Sequence, residues 1–177
     1  MILFLHGAGV DPADLRPGAY PLLRRLHDAA PGIRVSTPVI GAQTAGATLD
    51  LLDGPLGDAG PDDAVVGHSH GGAMALKWIA ERRPGLRLGA FIGCAMPVWG
   101  QPDWEYDEFR LPDDTRGAFR GIGRVTLVHA ADDGIVDPSH VDLYAGLFDV
   151  AEVIRPKAGD HDLDTDEVDG IFAGLAT

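Results

Sequence analysis

Cysteine is nearly absent from this chain. Cys94 is the only one, so no intrachain disulfide can form, and neither a cysteine zinc cluster nor a CxxC redox pair is available. A reducing compartment suits such a chain. Basic charge is also scarce, with 14 Lys plus Arg against 27 Asp plus Glu and a formal charge of -13. Nucleic acids and anionic membranes are repelled by that balance, so neither is expected as a partner. No stretch approaches membrane-spanning length. The opening apolar run, Met1 to Leu5, has no basic flank and no small-residue cleavage site, and is too short for a signal peptide. The expectation is a soluble cytoplasmic protein. Internal repeats, low-complexity tracts and linkers are missing too, which argues for one domain over residues 1–177.

What is present is an apolar fraction of 45% in 177 residues, enough for a single packed core. Short apolar runs alternate with stretches at helical spacing, the pattern of an α/β fold: a mostly parallel sheet with helices on both faces. Six strands are expected: Ile2 to Leu5, Ile33 to Thr37, Ala64 to Gly67, Leu88 to Cys94, Val125 to His129 and Ala151 to Arg155. Several are continuous apolar runs, as in strands buried on both faces. Val168, Ile171, Phe172 and Leu175 predict a last helix, with Asp164 and Glu167 as a capping box. Val141, Tyr144, Ala145 and Phe148 predict another, with Pro138 in its first turn and Asp137 as its cap. A third follows Gly71-Gly72, carries Ala73, Leu76, Ile79 and Ala80, and ends before Pro84. Residues 96–123 carry Pro97, Pro102, Pro112 and two of the three tryptophans without a strand pattern, and are expected to form an inserted lid or long loop.

Gly67-His68-Ser69-His70-Gly71 matches G-x-S-x-G and lies between an apolar strand and a helix, the context that motif needs. The glycines suit a tight strand-to-helix turn that holds a serine in strained geometry and presents its Oγ at the C-terminal edge of the sheet. With Leu5-His6-Gly7-Ala8-Gly9 ahead of it, the chain resembles the α/β-hydrolase superfamily, the first segment resembling its nucleophile elbow and the second its oxyanion loop. In length it is similar to the short members, including the retinoblastoma-binding serine hydrolases, and the superfamily's first two strands have no counterpart here.

The resemblance implies the order Ser, then acid, then His. Asp132-Asp133-Gly134-Ile135-Val136-Asp137 follows the fifth expected strand, and the superfamily's register makes Asp133 the acid. Asp132 is either a solvated neighbour or, in a shifted register, the acid itself, and Asp137 is better explained as a helix cap. Gly159-Asp160-His161 resembles the superfamily's histidine loop and makes His161 the base, with Gly-Asp-His where Gly-Gly-His is usual. The backbone N–H groups of Ala8 and His70 are then the oxyanion donors. His6 is expected to orient its loop by hydrogen bonds, and His68 and His70 to pack around the elbow. Trp99, Trp104, Tyr106 and Phe109 either line an acyl or alcohol pocket above Ser69 or simply anchor the long loop.

The function implied is a serine hydrolase acting on small to medium neutral carboxylic esters or related acyl compounds through an acyl-enzyme on Ser69, with a small-molecule substrate and no cofactor. Two rivals stand beside it. One is a hydrolase-like binding protein with a vestigial site. The other is a metal site built from His6, His68, His70 and His129, which leaves the glycines and Ser69 unexplained. Cys94 is expected to be a buried small hydrophobe. The composition leaves the oligomeric state open. Asp132, Asp137, Asp160 and Asp162 crowd the loops near Ser69, so strongly anionic substrates are disfavoured. Turnover of matched neutral and carboxylated esters checks this: the neutral ester should be preferred, and a clear preference for the anionic one refutes it.

Overall fold

A computed structural model of the chain describes residues 1–16, 18–40 and 44–175. Its centre is a six-stranded parallel sheet in the order β2-β1-β3-β4-β5-β6. The strands are β1 (Ile2–Leu5), β2 (Val35–Ser36), β3 (Ala64–His68), β4 (Leu88–Cys94), β5 (Ile122–Val128) and β6 (Glu152–Ile154). Among the described residues five α-helices connect and follow them: α1 (Pro21–Ala29), α2 (Ala45–Gly57), α3 (His70–Arg82), α4 (His140–Ala145) and α5 (Asp169–Ala173). The chain leaves β1 for β2 on one side and returns to β3 on the other. The strand order therefore reverses at β1, and in open parallel sheets the C-terminal ends of the strands beside such a reversal are where ligands bind.

Side chains alternate across the sheet, and both faces are buried. Leu3, Leu5, Val65, Phe91 and Leu127 enter a core shared with α2, α3 and α4. Ile2, Phe4, Val66, Ile92 and Val128 enter a second core under α1 and α5. Apolar residues on both faces are what made these strands read as unbroken runs. Cys94 lies in the second core, fully buried, and burial pushes its thiol up to about 12.

The central strands β1, β3 and β4 match the expected bounds to within one residue. The outer strands do not. β2 keeps two residues of the expected five and β6 three of five, because each is an edge strand with a partner on one side only. β5 starts at Ile122, so the last residues of the expected 96–123 insertion belong to the sheet. The final helix is also shorter than its spacing implies: a 3-10 turn at Asp166–Val168 runs into α5. Its cap is Thr165, whose Oγ accepts from Glu167 N–H, while Asp164 instead binds Arg24 and Arg25 of α1. Asp137 accepts from Ser139 N–H at 2.8 Å ahead of α4, which begins beyond Pro138. The sequence reading singles out neither α1 nor α2. In α2 the helix runs through Gly46, Gly54 and Pro55, residues that read as turns.

The segment between β4 and β5 has two 3-10 turns, Asp107–Phe109 and Arg116–Phe119, and is fastened along its length. Tyr144 donates to Pro97 O at 2.8 Å, and His140 accepts from Val98 N–H and donates to Asp103. Glu108 accepts from Ala45 N–H at the start of α2, and Lys77 of α3 donates to Arg110 O. No helix among the described residues is long and apolar enough to cross a membrane.

Short as it is, α5 docks on α1 through Phe172, which is fully buried. Phe172→Ala should lower stability by about 3–5 kcal/mol, read as the urea midpoint. A change within ~0.5 kcal/mol would place α5 outside the cooperative core.

Candidate active site

Ser69 sits between β3 and α3 with φ 50 and ψ -125, a backbone conformation that side chains rarely adopt. Two close approaches hold it. A Cβ on Gly67 would lie 2.3 Å from Gly72 Cα, and one on Gly71 would lie 2.4 Å from His6 O. Helix α3 thus rests directly on the backbone that leaves β1. Ser69 N–H donates to Cys94 O at 2.7 Å, fixing the turn to β4. His70 opens α3, so its N–H belongs to the first turn, where no intrahelical partner exists.

Beyond β1, Gly7 N–H donates to Tyr20 Oη at 3.1 Å, whereas Ala8 lies on the exposed part of the loop. His6 holds this loop, donating from Nδ1 to Gly7 O at 2.7 Å and accepting from Ile40 N–H on Nε2 at 3.0 Å. Burial pushes its pKa down, against the contact with Gly7.

Asp133, in the loop after β5, is the electrostatic centre of this edge. Its side chain is fully buried. One carboxylate oxygen accepts from Ile135 N–H and Val136 N–H at 2.8 and 3.0 Å. The other accepts from His161 Nδ1 at 2.9 Å and His129 Nε2 at 3.0 Å. Burial opposes its charge, but the hydrogen bonds from His129, His161, Val136 and Ile135 outweigh it and hold the carboxyl far below the usual carboxylate range. Asp132, the alternative acid, has a different position: its carboxylate accepts from Asp160 N–H at 2.9 Å. Asp160 in turn accepts from His161 N–H and Gly134 N–H. The two adjacent aspartates therefore hold the histidine loop at different points.

His161 and Asp133 are brought together, and the His161 ring lies against that of His68, with centroids 5.1 Å apart. Among the described residues no hydrogen bond joins Ser69 Oγ to His161. Such contacts often form only when substrate is bound. The histidines that a metal site would need are engaged elsewhere. Both ring nitrogens of His6 and of His68 are hydrogen-bonded, and the His70 ring packs edge-on to Trp99 and Phe109.

The aromatic residues of the long segment form a cluster next to the elbow. Trp99 touches Trp104, Tyr106 and Phe109, at centroid distances of 4.9, 6.0 and 4.8 Å. Trp99 and Phe109 also border a cavity of about 330 Å³ with Val98, Leu111, Tyr144 and Leu147; Ser69 is not in its lining. The buried Trp99 indole N–H has no partner among the described residues. Tyr20 and His129, which complete the hydrogen bonding here, were not foreseen in these roles. Tyr20 carries no local motif, and His129 stood out only as a possible metal ligand.

Neither a family model nor a curated protein matches the sequence. Solved structures do match. The ydeN gene product from B. subtilis is 18% identical, with 98% of this chain and 97% of that one covered at a TM-score of 0.78. Est1E from Butyrivibrio proteoclasticus is 13% identical, with 99% and 84% covered at 0.66. XC6422 from Xanthomonas campestris, described as an a/b serine hydrolase without lid, is 13% identical, with 98% and 79% covered at 0.60. At these identities the likeness establishes the fold.

Acid should destabilise the native state on two counts. Burial pushes His68 and His70 down to about 4 from the ordinary 6.5, so below 6.5 the unfolded chain takes up protons first and stability falls as pH drops. Asp133 adds stability that is present above the unfolded carboxyl value of about 4 and is lost as pH falls through its lower native value. The urea midpoint should decline between pH 6.5 and about 4. His70→Phe should flatten that decline, and an unchanged slope would show that His70 is not held neutral by burial.

Proposed function

We propose that this chain, which has the α/β-hydrolase fold, is a serine hydrolase that cleaves small to medium neutral carboxylic esters through an acyl-enzyme on Ser69. One observation carries the reading: the strained Ser69 and the hydrogen-bonded His161–Asp133 pair occupy the same C-terminal edge of the sheet, beside the reversal point at β1.

In this reading the buried Asp133 carboxylate accepts a hydrogen bond from His161 Nδ1–H and holds the proton on that nitrogen, which leaves Nε2 as the lone-pair nitrogen that removes the Ser69 proton during attack on the ester carbonyl. The negative charge that forms on the carbonyl oxygen is met by the N–H of His70, at the positive end of α3, and by that of Ala8. The N–H of Gly7 is taken by Tyr20, which supports Ala8 as the second donor. The imidazolium then protonates the leaving alkoxide, and water attacks the acyl-enzyme by the same route in reverse. The fully buried Asp133 charge stabilises that imidazolium. Trp99 and Phe109 beside His70 supply apolar surface for a substrate group, in keeping with a neutral ester.

A fluorophosphonate probe followed by intact mass, with p-nitrophenyl esters of increasing acyl length, tests the proposal. One adduct should form and should be lost in Ser69→Ala. Asp133→Asn should lower kcat by about three to four orders of magnitude. A folded protein that neither labels nor turns over would favour the hydrolase-like binding protein instead.

A further inference from the structure

The residue before the nucleophile does more than fill space. His68 is fully buried at the end of β3, and both of its ring nitrogens are bonded to other loops. Nε2 lies 2.8 Å from the carbonyl oxygen of His161. A carbonyl only accepts, so Nε2 carries the proton, and in a neutral imidazole Nδ1 is then an acceptor. Tyr20 Oη meets Nδ1, so the phenol donates to it, and the phenol oxygen accepts Gly7 N–H at 3.1 Å. Every donor along this line meets an acceptor. It runs Gly7 N–H to Tyr20, Tyr20 to His68, and His68 to His161 C=O, joining the loop after β1, the elbow and the loop after β6.

Packing holds the strut in place. The Tyr20 ring stands edge-on to Phe4 and to His68, at centroid distances of 5.4 and 5.6 Å. Burial keeps His68 neutral down to about pH 4, so its proton arrangement does not change at neutral pH. The loop it grips needs a grip: Asp160 and Leu163 have φ 51, left-handed backbone on both sides of His161. Strain of that kind persists only where surrounding contacts over-determine it. Asp132 supplies one such contact at the surface, on Asp160 N–H. His68 supplies the buried one, on His161 itself.

We infer that His68, with Tyr20 behind it, is a positioning residue that sets the His161 imidazole relative to Ser69 and to the loop carrying Ala8 N–H. This rests on the reading of Ser69, His161 and Asp133 given above. His68 touches no reacting atom; it acts through the backbone of His161.

The two hydrogen bonds can be separated by substitution. In His68→Gln the side-chain amide reaches the Nε2 position and can still donate to His161 O. In His68→Asn the side-chain oxygen takes the Nδ1 position and can still accept from Tyr20, but nothing reaches His161. Steady-state kinetics on a p-nitrophenyl ester, with thermal unfolding recorded alongside, should show kcat of His68→Asn about 10- to 100-fold down with KM little changed. His68→Gln should recover about tenfold of that loss. Tyr20→Phe, which removes only the hydroxyl, should move kcat in the same direction by a smaller factor, and keeps the test open if His68→Asn does not fold. Wild-type kcat in folded His68→Asn or in Tyr20→Phe, with Ser69→Ala inactive, overturns the positioning role and leaves the serine mechanism standing. Equal losses in the Gln and Asn variants, or a loss confined to KM, overturn it as well. Turnover unaffected by Ser69→Ala overturns the serine mechanism, and this inference with it.

Discussion

The arrangement depends on a contact between two pieces of backbone. Helix α3 approaches the C-terminal ends of β1 and β3 with no side chain between them, and Cβ atoms at Gly67 or Gly71 would lie 2.3–2.4 Å from main-chain atoms of Gly72 or His6. Contact that close draws the start of α3, and its unpaired N–H groups, up to the loop that leaves β1. It also leaves Ser69 no ordinary backbone conformation in which to make the turn. The strain at Ser69 and the nearness of two amide-bearing loops therefore share a cause, the absence of side chains at two positions. Parallel topology supplies the rest, since a reversal of strand order at β1 places both loops at the same C-terminal edge of the sheet.

A buried carboxylate is the second constraint. The Asp133 side chain is fully buried, and an uncompensated carboxylate there would take up a proton. Four donors prevent this, two from the backbone of its own loop and two from histidine rings. The backbone pair fixes the direction of the carboxylate, and the histidine pair spans the end of β5 and the loop after β6. His129 also lies 3.0 Å from Val136 O, so its Nε2–H is shared between the carboxylate and the loop that presents it. Removing any one donor leaves the charge less compensated, so the acid loop, His129 and His161 are coupled through one atom group.

The parts of this architecture that were legible in the sequence are those governed by short-range rules. β1, β3 and β4 were readable because strands covered on both faces become unbroken apolar runs. Gly67 to Gly71 were readable because a turn this tight restricts residue type at fixed offsets. The edges of the sheet were less so: β2 and β6 are trimmed by having one neighbour each, a property of topology that local composition does not encode. Helix α2 was hidden by Gly54 and Pro55, which packing of Leu49, Leu52 and Leu56 into the core overrides. In the site, adjacent aspartates are alike in local sequence, and they differ in partners that lie 28 residues on: Asp133 meets the His161 ring and Asp132 the Asp160 N–H. Tyr20 was out of reach, since its partner His68 lies 48 residues away and no spacing links them.

Histidine is the residue through which these constraints meet the chemistry, and the protein uses its two nitrogens differently at each position. A neutral imidazole has one donor and one acceptor. In His6 and His68 both are spent on holding loops, and burial keeps these rings from gaining a proton. In His140 both are spent on fastening the segment between β4 and β5. His161 differs: Asp133 fixes the Nδ1 proton, and among the described residues Nε2 makes no hydrogen bond. It is also more open to solvent than His6 or His68. A group that moves a proton needs a lone pair held in a fixed direction and a charge nearby to stabilise the protonated form. Of these four rings, His161 is the one that has both. The other three rings hold the loops around it, and for His6 and His68 burial favours the neutral form that this hydrogen bonding requires.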